Sequence, residues 1–240
     1  MALMPEYAPF VALAFLGTGF LTVVGLLAAA ITWWTTWRFF SKWILAAVAL
    51  LLVGYACVLL AASATSRQIV LGLGQNKYFC EIDCHLAYSV SGVETVKSIG
   101  DGNNVVTARG IFYIVTVKTW FDPATISPHR GYGPLSPNPR ELRLVDLSGG
   151  EYPVSESGMA ALEKKAGPQT PITEPLRPGE SYLTRFVFDV PAGAKNPRLL
   201  LSDMRSDTLT GLLIGHELSP FHQKIYFSLT ASASSVGGFL

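Results

Sequence analysis

Charge is what the first quarter of this chain lacks: up to Ser66 the only charged side chains are Glu6, Arg38 and Lys42. Over all 240 residues 15% are charged, where about a quarter is usual for a globular protein. Half of the chain is apolar, so the deficit marks a segment that does not face water. No Lys or Arg precedes Arg38, which excludes the basic n-region of a secretory signal. Long basic runs are missing as well, and a net charge of +1 with both signs interspersed after Ser66 argues against a nucleic-acid partner. Also absent are a Gly-x-Ser-x-Gly elbow, His-Glu-x-x-His, a phosphate-binding P-loop and a dinucleotide Gly-x-Gly-x-x-Gly, and with them the sequence signs of an enzyme. No catalytic residue is expected.

What is present at the start of the chain is two uncharged runs, residues 8–37 and 43–66. Each exceeds the roughly 20 apolar residues an α-helix needs to cross a bilayer. They predict a transmembrane hairpin over residues 1–66, with helices at about 9–34 and 43–64. Arg38 and Lys42, flanked by Trp33, Trp34, Trp37 and Trp43, read as a short cytoplasmic turn with an aromatic belt. Two spans return the chain to its starting side, so the N-terminus and everything after Ser66 are expected outside the cytoplasm, anchored in the inner or plasma membrane. The lipid bilayer is then the first partner. Ala62-Ser63-Ala64 is signal-like, yet cleavage there would discard the whole hairpin. Cys57 reads as a small apolar residue within a helix, and Gly17, Gly19 and Gly25 as sites of close helix packing without chemistry.

After Gly74 the pattern changes to short runs of Val, Ile, Tyr, Phe and Thr between Gly, Pro, Asn and Asp clusters, the signature of an all-β sandwich. The expected division is a linker over residues 67–79, including the Gly-rich 71–74, a β-domain over 80–232 and a flexible tail over 233–240. Residues 110–120, GIFYIVTVKTW, predict a long, buried central strand. Further strands are expected at 86–99, 141–146, 181–189, 197–201 and 224–230. The one helical candidate is 157–165, with Ser157 as its cap. Residues 122–139, DPATISPHRGYGPLSPNP, hold five prolines and predict a long surface loop suited to binding. Residues 206–222 mix a small apolar patch with Glu217 and two histidines and offer a second contact surface.

A resemblance rests on PLRPGESYLTRFVFDVP, residues 175–191. Leu176, Pro178, Gly179 and Glu180, then Val187, Phe188, Asp189, Val190 and Pro191, resemble the turn and strand of the telokin-like, immunoglobulin-like domains of bacterial membrane-anchored proteins and lipoproteins of unknown function. LRLVDLSGGEY upstream is similar to their preceding hairpin. The resemblance implies an immunoglobulin-like β-sandwich behind the two transmembrane helices, and no defined activity. Pro178-Gly179 suits a tight turn, and Pro191 suits a strand end because it has no N–H to give to a ladder.

The sharpest local cluster is FCEIDCH, with Cys80, Cys84 and His85 beside Glu81 and Asp83. In an oxidising compartment Cys80 and Cys84 are disulfide candidates. They can bond only if the segment turns, since four residues of extended strand span about 13 Å and a disulfide needs Cα atoms within about 7 Å. The alternative is an envelope copper or thiol-redox factor, two soft thiolates and the His85 imidazole supplying the ligands. That arrangement is similar to subunit II of haem-copper oxidases, where Cys-x3-Cys follows two helices, but there the motif closes the β-domain and a Met ligand is near. A covalent haem motif would need two residues, not three, between the cysteines. The favoured expectation has no cofactor and no metal. It is a non-catalytic interaction module, or an accessory subunit of a membrane complex, that meets another envelope or membrane protein through residues such as His129, Arg130, Tyr132, His216 and His222. As isolated histidines of a β-domain, His129, His216 and His222 are expected at the polar surface.

Overall fold

The computed structural model describes residues 8–79, 85–126, 129–204 and 209–230. The chain divides into two compact units, one built on the N-terminal helices with residues 209–223, the other a β-domain. In the first unit α1 (Ala8–Trp33) and α2 (Arg38–Ala64) are long and apolar enough to cross a membrane. They pack as an antiparallel hairpin. Ser41 Oγ donates to the Ala29 carbonyl at 3.1 Å, and at Gly25 a Cβ would stand 2.4 Å from Val48 Cγ2. Gly25 therefore permits the close approach, whereas Gly17 and Gly19 have no neighbour within 4 Å of that position. Arg38 and Lys42, expected in the turn, lie on the first turns of α2 instead. An apolar stretch satisfies its own backbone by starting the helix early, while long cationic side chains extend from it to reach water.

The second unit is a β-sandwich of two sheets. One contains β1 (Ile69–Leu71), β5 (Arg140–Val145), β6 (Glu151–Pro153), β8 (Arg198–Asp203) and β9 (Ile225–Ser228) in the order β1-β9-β8-β5-β6. The other contains β2 (Lys77–Phe79), β3 (Leu86–Ile99), β4 (Val106–Phe121) and β7 (Ser181–Val190) in the order β2-β3-β4-β7. The segment 67–79, expected as a linker, thus contributes two short strands. β1 runs parallel to β9 and β2 antiparallel to β3. Propensity in a three-residue strand is too weak a signal to announce these pairings.

Period-2 alternation along β4 sorts its side chains between two cores. Val115, Val117 and Phe121 join Tyr88, Leu144, Phe188, Leu199 and Leu201 between the sheets. Phe112, Ile114 and Ala108 face the other way, against Ala161 and Leu162 of α3 (Glu156–Ala166). α3, the one helix expected in the domain, covers an apolar sheet face that a pure sandwich would leave to solvent. Its cap is Ser155, not Ser157. Ser155 is extended (φ −81, ψ 111) and its Oγ accepts from Gly158 N at 3.1 Å, the geometry a cap requires.

Two turns match their sequence signals. In the β5–β6 hairpin Asp146 accepts from Ser148 N and Oγ, Gly150 N and Tyr152 Oη at 2.6–2.9 Å. The Ser148 hydroxyl first, then Tyr152 and the Gly150 amide, hold its carboxyl at a pKa of about 2. At Pro178-Gly179 the chain turns with Gly179 at φ +85, a conformation that favours glycine. Glu180 N donates to the Arg177 carbonyl at 2.9 Å, and its carboxylate accepts from Arg177 N at 2.7 Å.

Candidate functional site

The proline-rich loop leaves β4 at Phe121, and its first residues are clamped from three sides. Phe121 N donates to the Glu180 carbonyl at 3.0 Å, and Gly179 N donates to the Phe121 carbonyl at 2.9 Å. The Pro-Gly turn therefore grips the end of β4. Asp122, almost fully buried, accepts from Ala124 N at 2.9 Å and caps a short 3-10 turn, Pro123–Thr125. Its other oxygen accepts from Tyr78 Oη at 2.7 Å. Burial first, and then the bond to Asp122, push the Tyr78 phenol above its usual pKa. Farther along, Leu135 exchanges both backbone hydrogen bonds with Leu176 at 2.9 and 3.0 Å. These anchors fix the loop at both ends.

Within that frame His85, Phe121 and Arg130 form an aromatic stack. The His85 ring lies parallel to Phe121 with centroids 5.5 Å apart, and the Arg130 guanidinium stands 4.8 Å from the Phe121 centroid. Arg130 Nη1 also donates to the Gly133 carbonyl at 2.9 Å, closing the tip of the loop around Gly131 and Tyr132. Tyr132 is 80% exposed. A rigid aromatic beside an arginine is the composition of interface hot spots.

His85 Nδ1 lies 2.8 Å from Thr125 Oγ1. The Thr125 hydroxyl is also placed to donate to the Asp122 carbonyl, at 2.9 Å. Buried His85 braces the start of the loop through Phe121 and Thr125. Cys80 and Cys84, and with them both the disulfide candidate and the copper or thiol-redox alternative, lie outside the described residues. Among the described residues no group of three His, Cys, Asp or Glu side chains could hold a metal ion.

The remaining candidates separate. His129 is exposed beside Arg130, as expected for a surface histidine. His216 and His222, expected at the surface, are buried in the helical unit. His216 Nδ1 accepts from Leu218 N at 3.1 Å, and the His222 Nδ1 contacts the Gln223 carbonyl at 2.8 Å. Each ring contacts the backbone of its own segment. Sequence reading missed Tyr78, Phe121, Asp122 and Thr125. The signal for Asp122 was available, since Asp before Pro starts turns by bonding its own backbone. Tyr78 was hidden because its strand was not foreseen.

A second concavity, of about 560 Å³, is lined by Arg109, Tyr152, Ser155 and Asp189 among others. Asp189 is occupied by the Arg109 and Gly110 amides at 2.9 and 3.0 Å, and Tyr152 by Asp146. Its polar groups are committed to the fold.

Compared with known proteins, the chain matches no family model, and no curated protein matches it. Among solved structures it is similar to a conserved hypothetical protein from Bacillus anthracis, at 13% identity and a TM-score of 0.40 over 55% of this chain and 87% of that one. It is similar to the secreted protein MPT63 from Mycobacterium tuberculosis, at 15% identity and a TM-score of 0.42 over 69% and 99%. The yjhA protein from Bacillus subtilis aligns at 15% identity and 0.41 over 67% and 100%.

Proposed function

We propose that this protein is a membrane-anchored, non-catalytic interaction module whose immunoglobulin-like β-sandwich stands outside the cytoplasm and presents the proline-rich loop to another envelope or membrane protein. The reading is carried by one observation: a loop clamped at Phe121, Asp122 and Leu135 displays Tyr132, 80% exposed, at a tip closed by Arg130. Ordering a loop before binding removes an entropic cost that the encounter would otherwise bear. The placement outside follows from Arg38 and Lys42 at the hairpin's closed end, because cytoplasmic turns collect cations.

The test is co-purification of the full chain from membranes in mild detergent, comparing wild type with Tyr132→Ala. An aromatic hot spot contributes about 2 kcal/mol or more, so the variant should bind its partner protein roughly 30-fold more weakly. Its thermal unfolding should be unchanged, because Tyr132 is outside the core. Retention of the partner at full affinity by Tyr132→Ala, or turnover by the purified chain, would refute the proposal.

A further inference from the structure

The segment that follows residue 208 belongs to the helical unit and runs along α2. Tyr55 Oη donates to the Leu212 carbonyl at 2.7 Å, and Gln223 N donates to Ser66 Oγ at 2.8 Å. Eleven residues separate Tyr55 from Ser66 along the helix and its cap, which at roughly 1.5 Å per residue is about 16 Å. The segment is therefore pinned to α2 at two well-separated levels.

The lower level lies where hydrocarbon should be. If the inner boundary of the bilayer is set at Arg38 or Lys42, about 20 helical residues of core bring the outer boundary to between Val58 and Ala62. Tyr55 falls inside that boundary, in the outer half of the span. From Ala56 to Ala62 no side chain is charged. Irregular backbone survives at such depth only when its polar groups are satisfied within the protein.

The segment satisfies part of its own backbone internally. Short turns bond Leu212 N to Leu209 O, Leu213 N to Thr210 O, His216 N to Leu213 O, Ser219 N to His216 O and His222 N to Ser219 O, all at 3.0–3.1 Å. Ser219 Oγ adds a second bond to the Leu213 carbonyl at 2.8 Å. The distribution of side chains is inverted relative to a loop in water. His216, Glu217, Ser219 and His222 are buried, while Leu209, Leu212 and Phe221 are 65%, 46% and 78% exposed. Phe221 is held outward at φ +64, a conformation a bulky residue adopts only under constraint.

We infer that residues 209–221 form a lipid-facing loop that enters the outer leaflet beside α2, with Leu209, Leu212 and Phe221 among the acyl chains. The inference rests on the proposed membrane anchor and adds a second, shallower contact with the same bilayer.

The experiment uses the full chain in vesicles of phosphatidylethanolamine and phosphatidylglycerol. The photoreactive amino acid benzoylphenylalanine replaces, one at a time, Leu50, Leu212, Phe221 and Leu147. Leu50 is exposed on α2 and reports the anchor, and Leu147 is exposed on the β-sandwich. Irradiation followed by mass spectrometry should give lipid adducts at Leu50, Leu212 and Phe221 and little at Leu147. Adducts at Leu50 without adducts at Leu212 and Phe221 overturn the loop while leaving the anchor standing. No adduct at Leu50 overturns the anchor and the loop with it. Equal labelling from Leu147 overturns the loop too, since lipid contact would not be particular to it. Where a substituted chain unfolds, Tyr55→Phe supplies a second reading: loss of one hydroxyl should reduce adducts at Leu212 in a doubly substituted chain and leave those at Leu50 unchanged.

Discussion

Replacing Asp122 by alanine should unlatch the proline-rich loop. The carboxylate makes two contacts that alanine cannot: it caps the 3-10 turn through Ala124 N and accepts the Tyr78 hydroxyl. Loss of a cap costs about 1 kcal/mol. A hydrogen bond to a charged, buried acceptor contributes about 2 kcal/mol, so the sum is near 3 kcal/mol. For a domain of this size that corresponds to a fall in Tm of about 6–12 °C. Tyr78→Phe removes only the second bond and should lower Tm by about half to two-thirds as much. The double variant should cost less than the two single ones added, because both lose the same contact. Differential scanning calorimetry of the full chain in detergent supplies the Tm values. A local readout comes from trypsin, for which Arg130 in the loop is a cleavage site. If cleavage follows local opening, 3 kcal/mol makes it about 100-fold faster in Asp122→Ala. A Tm within about 2 °C of wild type, with an unchanged rate at Arg130, would refute the latch.

Two further outcomes follow from the β-domain. Asp146 has its carboxyl held at a pKa of about 2, below the ordinary 3.8, so its contribution is fully present above pH 4 and is lost as pH falls through 2. Acid unfolding monitored by tryptophan fluorescence should shift to higher pH in Asp146→Asn, and identical acid profiles would remove Asp146 from the account. Gly110→Ala places a Cβ 1.9 Å from the Val190 carbonyl oxygen, on backbone that cannot yield, and should destabilise by about 3 kcal/mol by forcing β4 from β7. Gly193→Ala, where nothing lies within 4 Å of that position, should fall within about 0.5 kcal/mol of wild type in the same urea titration.

Legibility varied with the length and strength of each pattern. β3 occupies residues 86–99, as its run of alternating β-formers predicts, and β4 and β7 lie within a few residues of expectation. The same is true of the Leu-x-Pro-Gly-Glu turn at residues 176–180, where Gly179 takes the left-handed conformation that the local sequence favours. β1, β2 and β6 have three residues each and too little pattern to stand above their surroundings. Ser155 and Ser157 lie two residues apart and carry the same local signal for the α3 cap. Only the tertiary path of the chain into α3 selects between them.

The candidate site divides along the same line. Composition alone determined that the first 66 residues differ in solvent preference from the rest, since transfer of apolar side chains from water is a sum over residues and needs no partner. It also determined that residues 122–139 could be neither helix nor central strand, because proline lacks the donor both require. What only the tertiary structure decided was pairing at a distance: Tyr78 with Asp122, His85 with Phe121 and Thr125, Leu135 with Leu176, and Leu212 with Tyr55. His216 and His222 became buried groups for the same reason. Burial and hydrogen-bond partnership belong to pairs of residues, often more than 40 positions apart, and local sequence carries no record of which pair the fold will bring together.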